Sequence, residues 1–424
     1  MNRRLALGTG LTAMLVASVA GAQEVTIGYQ GLPYKASGES NTGIQVSEGA
    51  LLHVGIGAEA GYDTNVFYDN TDPKASGIIR VLPYAELSNA TRTGAVSRQL
   101  LFDLRAGLTY RRYTSSDQAV QNYSNAWMPN AGLSLSAGSG QVGFGIADTF
   151  ARLEDPPYGP QAPGFAILRY NNQASVEGRW SPGGGRLTTM LRYTNMVDIF
   201  QNTYEYASSD TNLIMLDVAW KWLPKTAVFF NAQQGYIFYL NSALAEANNK
   251  VSSYPLYLTA GLRGLLTEKT AAVLSLGYVN GFYGGSGGST SGFLGSTYAE
   301  LAFTVRPTLL SRVVLGYRHD FENAVISSFY YNETVYASYM QQVAGRLSLD
   351  LSGRYSHRDY GGSFVDMTQM GRVDNFFLAG ASLDYFMRNW TYLGVAYALI
   401  ADQSNISTLS YVKQQMFVRL GITY

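Results

Sequence analysis

The chain has 424 residues, including 45 glycines and 32 tyrosines, with no cysteine and a formal net charge of zero from 30 basic and 30 acidic side chains. Without cysteine there is neither a disulfide scaffold nor a thiol nucleophile, and the charge balance points to no nucleic acid and no anionic surface as partner. No stretch reaches the roughly 18 consecutive apolar residues of a membrane-spanning helix.

The chain opens MNRRLALGTGLTAMLVASVAGAQ, with a positive start at Arg3 and Arg4 and an apolar stretch over 5–19. Ala20-Gly21-Ala22 is a small-residue cleavage site. Residues 1–22 are therefore expected to be a secretory signal peptide, removed before Gln23 and outside the fold. Residues 23–50, rich in Gly and Ser, are expected to form a periplasmic lead-in with one short strand at 25–29.

From 51 to 424, segments with a period of two alternate with turn-rich gaps, the mark of strands with one apolar and one polar face. About eighteen strands are predicted, at 51–62, 78–88, 99–112, 123–136, 140–152, 168–181, 186–199, 211–223, 226–239, 253–266, 269–283, 293–306, 308–321, 330–344, 346–359, 372–387, 390–400 and 411–424. Short gaps such as SAGSG (136–140), SPGGG (181–185) and LPKT (223–226) alternate with longer polar ones such as 63–77, 152–167 and 240–252. Short turns at one end and long loops at the other are the asymmetry of an outer-membrane barrel, and an even count puts both chain ends on the periplasmic side. A soluble propeller shares a repeat of about 40 residues, but no blade motif recurs here. The predicted fold class is all-β, a closed antiparallel transmembrane β-barrel over 51–424. At this size such a barrel encloses an aqueous channel.

The last strand shows the pattern most plainly: Met416, Val418, Leu420 and Ile422 alternate with Phe417, Arg419, Gly421 and Thr423. A final strand that closes on an aromatic, with polar-x-Gly spacing, resembles the closing strand of bacterial outer-membrane barrels. The resemblance implies that the barrel-assembly machinery reads Arg419, Gly421, Ile422 and Tyr424 as an insertion signal.

In a membrane barrel the apolar set faces lipid and the polar set a wet lumen, because lipid does not solvate charge. The predicted lining comprises the acids Glu59, Asp103, Glu177, Asp217, Glu300, Asp350 and Asp384. Its bases are Arg105, Arg179, Arg192, Arg263, Arg318, Arg354 and Arg419. Seven of each sign do not make the single-sign ring that sets ionic selectivity. Asp103/Arg105, Glu177/Arg179 and Asp350/Arg354 are near neighbours on one face, and mutual pairing explains them without a ligand. A mixed, hydrogen-bonding lumen also suits a neutral polar solute such as a sugar chain.

Trp180, Trp220, Trp222 and Trp390 lie near short turns, where a periplasmic aromatic girdle belongs. Tyr62, Tyr113, Tyr204, Tyr206, Tyr239, Tyr283, Tyr330, Tyr331 and Tyr360 crowd the other end. An outer girdle with ordinary loop residues accounts for them, and platforms for stacking sugar rings are the functional alternative.

Catalytic residues, metal ligands and cofactors are not expected. His319 and Asp320 are adjacent on a strand and point to opposite faces, whereas general base chemistry needs the two together. No metal-ligand cluster, phosphate loop or Gly-x-Ser-x-Gly elbow occurs.

At the first barrel strand the chain reads HVGIGAEAGYDTNVFYDN, and the next reads IIRVLPYAEL. Gly57, Gly61, Tyr62, Asp63, Asn65 and Val66, followed by Pro83, resemble the opening of the β-barrel porin 2 family, and the likeness continues in strand spacing and the terminal aromatic. The resemblance implies an outer-membrane porin-type barrel. Several relatives are associated with exopolysaccharide or capsule secretion, working beside a periplasmic polysaccharide export protein; no catalytic residues come with the family. The expected function is a passive hydrophilic channel, set in outer-membrane lipid, for outward passage of a polysaccharide. A general or sugar-selective uptake porin and a surface adhesin built on the barrel are the alternatives. Uptake porins fold one long loop inward, and no predicted loop much exceeds 16 residues.

Overall fold

The computed structural model describes residues 43–47, 49–89, 100–153, 168–283, 297–388 and 390–424, the side chains of Asn202 and Thr203 excepted. The signal peptide and the strand expected at 25–29 lie outside the described residues. The strands are β1 (Ile44–Ser47), β2 (Ala50–Asp63), β3 (Ser76–Ser88), β4 (Leu100–Tyr113), β5 (Ala126–Ser139), β6 (Val142–Leu153), β7 (Arg169–Trp180), β8 (Leu187–Phe200), β9 (Ser209–Leu223) and β10 (Thr226–Tyr239). They continue with β11 (Leu256–Leu265), β12 (Thr270–Asn280), β13 (Thr297–Val305), β14 (Ser311–Asn323), β15 (Ser327–Val343), β16 (Leu347–Phe364), β17 (Val373–Arg388), β18 (Thr391–Ser404) and β19 (Tyr411–Thr423).

From β2 to β19 each strand pairs antiparallel with its sequence neighbours, and β19 returns to β2. The result is a closed 18-stranded antiparallel barrel. At the seam Tyr424 and Val54 exchange backbone hydrogen bonds of 2.8 and 3.1 Å, so the ladder runs to the last residue. The short β1 folds back on β2 beyond that point, so the predicted lead-in contributes a strand of its own.

Alternation builds the wall. On β19, Val412, Met416, Val418, Leu420 and Ile422 stand exposed outside, while Tyr411, Lys413, Gln415, Phe417, Arg419 and Thr423 are buried inside. Short turns carry the backbone chemistry that reversal demands. Ala344 and Gly345 sit at φ of 50° and 70°, and the Arg346 amide donates to Val343 O. This is a type I′ arrangement, in which both central residues need positive φ. Trp180, Trp220, Trp222 and Trp390 are all exposed near this short-turn end, and Trp127 is exposed toward the other.

Two departures from the predicted strands shape the loop end. β15 and β16 run to 17 and 18 residues, reducing the expected gap 322–329 to the turn 324–326. Opposite trends shorten β11 and β12 to 10 and 11 residues, while the start of the strand predicted at 293–306 lies outside the described residues. The tall tip packs over the low wall: Phe321 and Phe329 are buried against Val279, Tyr257 and Tyr283. These positions have the parity of a lipid-facing side chain on their strands, yet they meet protein because the tip lies beyond the apolar band.

Candidate functional site

The inner face divides into two arcs. On β3 every inward residue from Ser76 to Ser88 is buried, and β19 repeats this from Tyr411 to Thr423. On β4 to β7 the inward side chains Arg105, Ser134, Ser136, Thr149 and Gln173 are exposed, although they sit inside a closed wall. Directly opposed residues share a face, and Arg105↔Gly132 with Gly132↔Thr149 and Thr149↔Gln173 fixes all of these as inward. The open arc is lined by hydroxyl, amide and glycine positions with a few charges.

The buried arc is held by charges that neutralise each other. Arg419 grips Asp384 with two bonds of 2.9 and 2.5 Å. Arg263 reaches Asp217 across β10 with bonds of 2.8 and 3.2 Å while lying over the Phe229 ring. Arg80 pairs with Glu59 at 3.5 Å and covers the Phe417 ring. Tyr84 Oη and Thr423 Oγ1 share a hydrogen bond across β2. Such pairs are needed because burial of a lone charge costs several kcal/mol, of the order of 3–5 when one partner is removed.

All fourteen residues predicted to line the lumen lie on the inner face: Glu59, opposite Arg419 and paired with Arg80, and thirteen others in three settings. Asp103/Arg105 pair at 2.6 Å, and Glu177 takes Arg192 at 2.6 Å and Arg179 at 3.5 Å, on the partly open arc. Asp217, Arg263, Glu300, Asp384 and Arg419 are buried, and Tyr298 donates to Glu300 at 3.0 Å. Arg318 is bonded to Asp320, Asp350 accepts from Ser348 at 3.3 Å, and Arg354 donates to Ser356 at 2.9 Å. His319 points outward to Glu333, away from Asp320, as adjacency on a strand requires.

Sequence reasoning missed the charges at the loop ends of strands. Lys413 meets Asp63 at 3.0 Å, and Arg372 meets Asp374 at 2.6 Å, all four buried. Arg372/Asp374 has the same i,i+2 spacing as Asp103/Arg105, but it sits at a predicted strand boundary where face assignment starts. Lys250, between β10 and β11, had no signal at all.

The mouth at the loop end is covered from several sides. Phe200, Tyr204, Tyr206 and Ala207 pack on Val325, with Leu244 and Val365 beside them. Lys250, buried, donates to Ala324 O at 2.5 Å and Ser327 O at 2.6 Å, and Asn249 donates to Phe364 O at 3.0 Å. Removal from water without a carboxylate pushes the Lys250 ammonium down to about 7, and burial pushes the Tyr204 phenol up to about 12. On the far side the helical turn Gln118–Ser124, capped by Asp117, drives Val120 against Ile78 and Phe417. Tyr113, Tyr204, Tyr206, Tyr330 and Tyr360 are therefore buried in packing, not presented as free platforms, whereas Tyr62 is exposed on the outer face.

An apolar exterior around a polar interior inverts the arrangement of a soluble protein, and a closed barrel built that way is a transmembrane barrel. No protein-family model matches this chain, and no curated protein matches it. Among solved structures, Acinetobacter baumannii OccAB3 is similar with a TM-score of 0.47 and 10% identity, over 89% of this chain and 100% of that one. Pseudomonas aeruginosa OccK3 (OpdO) is similar at 0.45 and 12%, over 88% and 95%. A variant of the ferric enterobactin receptor PfeA from Pseudomonas aeruginosa is similar at 0.42 and 8%, over 88% and 80%. Likeness this loose carries nothing about solute or direction.

Proposed function

We propose that the protein is a passive channel of the bacterial outer membrane, that its passage follows the β4–β7 arc, and that its task is outward transit of a polysaccharide chain. The observation that carries the channel reading is the exposed inward row of Arg105, Ser134, Ser136, Thr149 and Gln173 inside a wall whose outer face is apolar. Hydroxyl and amide side chains offer sugar hydroxyls many weak bonds, and transit requires that each stay weak enough to release. Charges near the path are already paired, which suits a neutral or weakly charged solute. The opening at Gly57–Val66 and Pro83, similar to that of porins associated with polysaccharide secretion, supports the outward direction. In that setting a periplasmic polysaccharide export protein would meet the short-turn end, and energy would come from synthesis upstream.

A sugar-selective uptake porin is the second reading, and one observation favours it. Several short loops here fold over the outer mouth, giving by combination the constriction that a single long loop would give. The deciding experiment measures surface polysaccharide and small-sugar uptake in a deletion strain, with membrane integrity as control. Loss of one polymer with normal uptake is the expected outcome. Unchanged polymer with slowed uptake would replace export by the uptake reading.

A further inference from the structure

One sector of the outer face breaks the apolar rule. The row Leu104, Leu133, Asp148, Ala174, Asn195 and Asn212 runs from strand to strand across β4–β9, each residue directly opposite the next. Its neighbours two residues along on the same face, Ile146, Val176, Tyr193 and Ile214, are all exposed, so the row faces outward. On β4 the row starts six residues below Tyr110, whose ring lies 4.5 Å from Trp127 in the girdle of the loop end. Six residues on a tilted strand amount to about 15 Å of depth. Asp148 thus lies at the level of lipid chains, and the row then climbs toward the loops at Asn212.

Asn172 donates to Asp148 at 2.8 Å, Asn195 donates to Asp210 at 2.6 Å and to Asn212 at 3.2 Å, and Tyr193 donates to Asn212 at 2.6 Å. Ala174 in the row and Gly178, four residues along the same face, carry little or no side chain, and a Cβ on Gly178 would meet nothing within 4 Å. Among the described residues neither Asp148 nor Asp210 has an ion-pair partner. Polar and ionisable groups are costly against lipid and ordinarily face protein.

We propose that the outer face of β6–β9 is the surface through which copies of this chain associate within the membrane, with Asp148, Asn172 and Asn195 at its polar centre. Acyl chains offer no hydrogen-bonding group at that depth, and headgroups lie above the girdle. A second copy inserted the same way brings the same groups to the same depth. Carboxamides both donate and accept, so like can meet like, and small residues beside them let walls approach. Arg152, outward on β6 four residues above Asp148, donates to Trp127 O at 2.8 Å and lies over the Tyr170 ring, closing the upper edge of the patch. The inference needs the barrel to sit in a membrane and is indifferent to what it carries.

The chain's lack of cysteine makes the test clean. Val176→Cys on this face and Leu393→Cys on β18 are compared in native membranes with a long-armed bismaleimide. Cross-linked dimer is expected at the first and not at the second. Asp148→Leu combined with Asn195→Leu is then run on semi-native gels, where heat-shifted mobility reports folding. Conversion of the oligomer band to folded monomer is expected. A monomeric parent, equal cross-linking at both cysteines, cross-linking of Val176→Cys to a different protein, or an unchanged oligomer of greater heat resistance in the double variant would overturn the proposal. Failure of the double variant to fold leaves the cysteine comparison decisive.

Discussion

The buried arc around β18, β19, β2 and β3 and the open arc of β4–β7 follow the same sequence rule, apolar outside and polar inside, yet glycine serves opposite ends in them. At Gly394 a Cβ would overlap Asp384 Oδ1 and lie 3.1 Å from Arg419 Nε, so the missing side chain makes room for the buried ion pair. At Gly132 a Cβ would find its nearest neighbour at 3.9 Å, on Asp148 O, with open space inward. At Gly394 the missing side chain serves packing, and at Gly132 it leaves the inner face wide. On this division stability concentrates in the first arc, and the proposed passage follows the second.

The strongest way to break that division is Arg419→Met, which strands the buried Asp384 carboxylate. We expect a loss of about 3–5 kcal/mol, read as a fall in the temperature at which the folded band disappears on semi-native gels. Adding Asp384→Leu should restore most of it, because the orphaned charge goes too. Gly394→Ala should cost less, about 1–3 kcal/mol as an overpacked site. Its counterpart Gly132→Trp should hold stability within about 1 kcal/mol while lowering single-channel conductance several-fold. A Gly132→Trp channel conducting like the parent would remove the passage from this arc.

Lys250 sharpens the comparison at the mouth. Its folded-state value, about 7, lies below the ordinary lysine value of 10.5, so the open or unfolded loop binds more protons between the two. The closed loop should accordingly gain stability as pH rises from about 7 toward 10.5, by up to tenfold in its closing equilibrium per pH unit. Hydrogen exchange of residues 241–250 should slow over that range beyond its chemical trend, and Lys250→Met should lose the added dependence. The smallest effect is expected from Arg105→Gln: its side chain is 47% exposed, so stability should not measurably change. Reversal potential should shift slightly toward cations as Asp103 loses its partner.

Fold class and strand number were legible because a period of two survives in every wall strand. The parity of Asp217, Arg263, Asp384 and Arg419 was legible for the same reason. Their burial was not, since it depends on partners such as Asp217 for Arg263, 46 residues away, that a local pattern does not pair. The length of β15 and β16 was hidden because beyond the apolar band the two faces stop differing. The helical turn at 118–124 spans the end of a predicted gap and the first two residues of the strand predicted from 123, being too short to show a helical period. The mouth tyrosines read as exposed because loop packing between strands far around the barrel leaves no mark on the local sequence.

The seam has a consequence for how the molecule forms. Within the barrel of β2 to β19, seventeen pairings join consecutive strands, and each can zip as a hairpin with modest loop entropy. Only β2 with β19, Gly55 opposite Thr423, joins the two ends of the chain. That pairing joins residues 368 positions apart, against at most 38 in any other wall pairing, so closure is the slow entropic step. Until Tyr424 reaches Val54, both edge strands present unpaired backbone, the template for wrong association. A chaperone or insertion machine therefore has one task set by geometry: to hold two edges apart from other chains until they find each other.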